Sequence, residues 1–101
     1  MNKRLELHRI LSAIPEVKKA YFQPPATVKM TYPCIVYELD DMDTKYADDK
    51  PYSIMKAYTV TIIDPDPDSE IKDHVALLPY CRFNRHFTVD NLNHDVFKLY
   101  Y

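Results

Sequence analysis

The sequence predicts a small α+β domain, its sheet mainly antiparallel and two helices packed on one face. Three observations predict it: a helix-period apolar stripe over residues 3–14, alternating strand patterns at 33–41 and 54–64, and a second helical run that follows an Asp/Pro-rich turn. The chain has 101 residues, one domain on length alone, and can bury a core without disulfide or metal staples.

The first helix rests on Lys3, Leu7, Ile10, Leu11 and Ile14, which share one stripe, with Asn2 as N-cap and Pro15 as the stop. A short strand is expected over Glu16–Gln23, ended by the rigid Pro24-Pro25 corner. In Pro33–Asp41, Ile35, Tyr37 and Leu39 fall on one face, and Cys34, Val36 and Glu38 on the other. Asp41–Pro51 has neither period and reads as a long exposed loop. Ile54–Asp64 is the clearest strand, with Tyr58, Val60 and Ile62 on one face. The turn that follows leads into a helix with either Asp66 or Ser69 as N-cap and Ile71, Val75 and Leu78 inward, stopped by Pro79. Arg82–Val89 alternates, with Phe83, Phe87 and Val89 together on one face and the Phe83/Phe87 pair available to the core. Asp90–Asn93 is a turn, and Val96–Tyr101 the last strand.

Composition removes several function classes. There is no glycine, so no Gly-rich phosphate cradle or dinucleotide fingerprint exists, and turns fall to Pro, Asp and Asn. No apolar run nears the ~20 residues that span a bilayer. The N-terminal residues alternate charged with apolar side chains, which is not a signal peptide; a cytosolic compartment and thiol states for Cys34 and Cys81 are the expectations. Net charge is −2 but uneven: residues 1–29 carry +4, residues 30–79 carry −7 and residues 80–101 carry +1. A basic head and an acidic middle suit charge-guided packing between copies, and the acidic middle works against tight nucleic-acid binding.

Candidate chemistry is sparse. Asp64, Asp66, Asp68 and Glu70 alternate, but a calcium loop counted from Asp64 would hold Ser69 where Gly is needed and Val75 where the bidentate Glu is needed. An acidic helix start explains them better. His74 has no ligand partner at helical spacing, His86 lies on a strand, and His94-Asp95 reads as a turn pair. The sequence leaves open a dyad of Cys81 with His86 or His94, and nothing in it favours one. No catalytic residue, metal ligand or cofactor site is assigned. Tyrosine says more: of nine, Tyr32, Tyr46, Tyr52, Tyr80, Tyr100 and Tyr101 fall in expected loops or at the terminus. Any one of these fits local packing; six together favour protein–protein contact.

Several blocks taken in order resemble a known family. They are Tyr32-Pro33-Cys34-Ile35-Val36-Tyr37-Glu38, Tyr46-Ala47-Asp48-Asp49-Lys50-Pro51-Tyr52, Tyr58-Thr59-Val60-Thr61-Ile62-Ile63-Asp64, Pro67-Asp68-Ser69, Leu78-Pro79-Tyr80-Cys81 and the ending from Asp90 to Tyr101. Their order and spacing resemble the tail-terminator, or tail-to-head joining, proteins of long-tailed bacteriophages and prophages, over most of residues 32–101. The resemblance implies a small mixed sheet with flanking helices. It also implies a homohexameric ring that caps the tail tube and docks it to the head connector or stopper, with DNA passing through without specific binding. It implies a virion neck protein assembled in the bacterial host cytoplasm, with no catalysis, cofactor or membrane. Similar chains carry minor-capsid, connector and tail-completion labels, so a head-side place in the same neck is the nearest alternative. A small intracellular peptide- or ligand-binding module is the alternative from another class.

The corresponding interface residues are Tyr46, Ala47, Asp48, Asp49, Lys50, Pro51 and Tyr52 of the expected loop, and Phe97, Leu99, Tyr100 and Tyr101 of the last strand. These would touch neighbouring copies or the tail tube, and Asp40, Asp41 and Asp43 are the acids expected to line the channel.

Overall fold

A computed structural model describes residues 3–47 and 50–101. The elements are α1 (Lys3–Ser12), β1 (Lys19–Phe22), β2 (Cys34–Ala47), β3 (Lys50–Asp64), α2 (Ile71–Ala76), β4 (Cys81–Val89) and β5 (Leu92–Tyr100). They form one five-stranded sheet in the order β1-β2-β3-β5-β4. Only β1 and β2 are parallel; the other neighbours are antiparallel. The expected fold class and element order are what the chain adopts.

The helices share one face. Leu7 and Leu11 of α1 and Ile71 and Val75 of α2 are fully buried against Ile35, Tyr37, Val60 and Leu99. Burying each such side chain stabilises the fold by about 1.5–3 kcal/mol, so this layer is the main source of stability. Ile10, expected on the inner stripe, is instead 37 % exposed at the helix margin. The other face is only partly covered: Val28 and Met30, from the β1–β2 connection, lie against Tyr21, Cys34 and Ile63. Tyr58, Val60 and Ile62 face the helices as the alternation predicts.

Turns without glycine take positive φ at Glu16, Gln23, Tyr80, Asp90 and Asn91. Asp90 and Asn91 are consecutive, at φ 53° and 63°, and make a two-residue hairpin turn. The turn is therefore shorter than Asp90–Asn93, and β5 starts at Leu92, so His94 and Asp95 are strand residues. The acids before α2 serve the backbone. Asp64 Oδ1 accepts from the Asp66 amide at 2.8 Å, and Asp66 Oδ1 accepts from the Asp68 amide at 3.0 Å. These turns delay the helix to Ile71, whose amide donates to Ser69 Oγ at 3.3 Å. The N-cap position is Glu70, so neither Asp66 nor Ser69 holds it.

Two expectations fail for identifiable reasons. The Asp41–Pro51 segment is not a loop, because β2 continues to Ala47 and β3 begins at Lys50, with pairs from Asp41↔Ala57 to Ala47↔Lys50. Asp48 and Asp49 lie outside the described residues. This arm runs beyond the ends of β1 and β5, and the molecule measures 51 × 27 × 23 Å. Strand pairing satisfies the backbone groups of such a two-stranded ladder without requiring an apolar period, and none marks this stretch of sequence.

The second failure is in β4. Its register jumps between Phe83↔Phe97 and Arg85↔Val96, leaving Asn84 as a bulge. Phe83 thereby joins the helix side while Phe87 and Val89 turn to the other, and the Phe83/Phe87 pair does not fill the core. Phe83 is 55 % exposed, packed edge-on to Phe97, and Phe87 stacks on His94.

Candidate functional site

The surface is best built from the strand edges. Beside Cys34–Tyr37, β2 is paired on both sides. At Leu39 the ladder to β1 ends, where the Leu39 amide donates to Gln23 Oε1 at 3.2 Å. From there to Ala47, no strand among the described residues pairs with the outer edge of β2. Asp40 is the extra residue of a bulge between Leu39 and Asp41, which puts Leu39 and Met42 on the helix side, both more than 40 % exposed. Glu38 and Asp41 face the other way and are exposed. Asp40 lies 3.8 Å from Lys98 Nζ. The Met42 amide donates to Asp41 Oδ1 at 2.8 Å, a side chain standing in for the missing strand.

At the opposite end of the sheet, β4 pairs only with β5 among the described residues, so its outer edge is also open. The bulge places Arg82 and Arg85 on the same face, away from the helices, both exposed; Arg85 lies over the Phe87 ring at 5.2 Å. Sequence reasoning missed these residues because plain alternation puts 82 and 85 on opposite faces.

The predicted interface residues divide. Tyr46, Ala47, Lys50, Pro51 and Tyr52 lie on the arm. Asp40, Asp41 and Asp43 stand at its base, on one strand. Phe97 and Leu99 are corrected: at 2 % and 1 % exposure they belong to the subunit's own core. The last strand is not a free edge, since β5 is paired with β3 on one side and β4 on the other. Its end is more accessible. Tyr100 and Tyr101, with Ile10, Met55, Leu78 and Tyr80, line an apolar groove of about 440 Å³.

The titratable groups do not assemble into a reacting centre among the described residues. His86 Nδ1 and Asp95 Oδ1 meet at 2.8 Å across β4 and β5, a pair the expected turn at His94 concealed. Cys81 sits five residues up the same strand, roughly 15 Å away at strand rise, so Cys81 and His86 form no dyad. Burial pushes the Cys81 thiol up, and burial followed by the Asp64 charge pushes the Cys34 thiol up to about 11, which disfavours thiolate at both. Under α1, the buried Tyr37 hydroxyl accepts from Arg4 at 3.2 Å and meets His8 Nδ1 at 2.7 Å. Burial first, then the Arg4 charge, holds His8 below its ordinary 6.5, which favours the neutral ring beside the Tyr37 hydroxyl.

Fold and surface define an α+β sheet domain whose distinctive features are an arm and two open edges of opposite charge. No family model matches the chain, and no curated protein matches it either. No helix among the described residues is long and apolar enough to cross a membrane.

Proposed function

We propose that this chain is a structural subunit of the neck of a long-tailed bacteriophage, a tail terminator that forms a ring on the tail tube and joins it to the head connector. The observation that carries the reading is the ordered set of sequence blocks from Tyr32 to Tyr101 that resembles that family. The arm supports it, because a ring subunit needs reach toward its neighbours and two different complementary surfaces. Tyr46 to Tyr52 on the arm, and Tyr100 and Tyr101 beside the groove, are the contacts assigned to neighbours or the tube. Asp40 and Asp41, exposed at the arm's base, and Asp43 on the same strand are assigned to the channel, where acids repel passing DNA.

Deleting Lys45–Lys50 in the phage or lysogen that encodes the chain should leave a folded subunit and separate heads and tails. Normal infectious particles from that deletion would overturn the reading. Pull-down by tail tube protein, and not by portal, separates the tail-side role from a head-completion role. A peptide-binding module is the second reading, favoured by the apolar groove under Tyr80 and Tyr101. A protein that stays monomeric at all concentrations and binds an apolar peptide there would support it.

A further inference from the structure

We infer that the outer edge of β4 is a docking site for an extended acidic segment of another polypeptide, which adds to the five-stranded sheet as a further strand. The inference goes beyond the neck reading and does not depend on it.

The site is a backbone site first. Among the described residues β4 is paired on its β5 side alone, so along the strand alternate residues turn an amide and a carbonyl outward. From Arg85↔Val96 to Val89↔Leu92 the ladder to β5 is unbroken, which leaves residues 85–89 as a regular edge for a partner.

Side chains then decide which partner fits. The bulge at Asn84 sets Arg82 and Arg85 on the face away from the helices, both exposed. Among the described residues neither arginine is paired with a carboxylate, whereas Lys98 Nζ, beside Arg82 in the register, has Asp40 at 3.8 Å. On the helix side Phe83 is 55 % exposed. A segment with carboxylates on one face and apolar side chains on the other answers both sides of the edge.

Other occupants fit less well. The ladders place Phe83 level with Phe97, Val60, Tyr37 and Phe22, so a second copy continuing the sheet brings its β1 to this edge. There Lys19 lies on the face of the arginines, and Lys18 precedes it. Two β4 edges would oppose the arginines to one another. Single-stranded nucleic acid answers the charge but leaves the backbone edge unpaired. It also needs open rings, and Phe87 already stacks on His94 at 4.6 Å and has Arg85 over it at 5.2 Å. A bulge and exposed cations are the usual guards of an edge strand. They repel a basic strand and attract an acidic one, so on β4 they select the partner.

The test is binding of short synthetic peptides to the full chain, followed by fluorescence anisotropy. A peptide alternating Glu with Val should bind, more weakly as salt rises, and its counterpart with Lys for Glu should not. R82E/R85E should weaken binding of the Glu peptide at least about tenfold and take up the Lys peptide instead, a gain that a folding defect does not produce. N-methylation of the Glu peptide's amides should abolish binding, because the ladder needs them. On wild type, saturating Glu peptide should slow exchange of the outward amides, every second one in 85–89, at least about tenfold. The inference is overturned by a Glu peptide that does not bind, or by equal binding of the Lys peptide. Unweakened binding of the Glu peptide by R82E/R85E, or unchanged exchange in 85–89, overturns it as well. Full binding of the N-methylated peptide marks a charge contact without a strand and has the same consequence. Tighter binding of oligothymidylate than of the Glu peptide overturns it in favour of a nucleic-acid surface. None of these outcomes bears on whether heads and tails are joined, so the neck reading stands or falls separately.

Discussion

Two stretches of β2 differ sharply although one strand contains both. From Cys34 to Tyr37 it is paired on both sides and packed under the helices; Ile35 and Tyr37 have no exposed surface. From Asp40 onward it is paired only with β3, and Met42 is 47 % exposed. The first stretch is fixed by packing as well as pairing; the second extends as a two-stranded ladder with β3. Substitutions in the first should therefore register in stability, and substitutions in the second in association between copies.

The largest effect is expected at Leu99, 1 % exposed and packed with the helix layer. Leu99→Ala should cost about 2–5 kcal/mol, read as a lower urea midpoint with unchanged slope. A cost near zero would place the last strand outside the core and restore it as an interface element. It would also erase the contrast between centre and arm.

A smaller, pH-dependent effect tests the same layer at α1. The folded state holds His8 below its ordinary 6.5, so the unfolded chain binds the proton more readily. Stability from this site is full above that ordinary value. It declines as pH falls through it toward the depressed folded value, below which both states are protonated. His8→Gln should flatten that part of the urea midpoint curve between pH 8 and 5. An unchanged curve would show that the His8–Tyr37 contact does not govern protonation there.

How much of this was legible in the sequence follows the same division. Tyr58, Val60 and Ile62 could be read because a half-buried strand must alternate. Leu7, Leu11, Ile71 and Val75 could be read because a helix on a sheet must carry a stripe. The arm could not, since residues 41–51 carry no apolar period and a ladder held by backbone pairing needs none. The basic edge was hidden for another reason: a single bulge at Asn84 moves Arg85 to the face of Arg82, and bulges carry no sequence period. The His86–Asp95 pair needed the register of β4 on β5, which the two-residue turn at Asp90-Asn91 sets and a longer expected turn obscured.

The smallest stability effect is expected at Met42, and it is the most informative for the arm. In the single subunit Met42 lies on the helix side beyond the reach of either helix layer, nearly half exposed. Met42→Ser should therefore change unfolding free energy of dilute protein by no more than about 0.5 kcal/mol, the range for surface positions. If the arm is a contact between copies, the same substitution raises the concentration needed for assembly, because it trades an apolar contact for a hydroxyl without a partner. Sedimentation and urea denaturation on one sample separate the two outcomes. A loss of stability in the monomer would mean the arm is packed by its own subunit. Unaltered stability together with unaltered assembly would leave Met42 no role in either, and the base of the arm would have to be abandoned as a contact between copies.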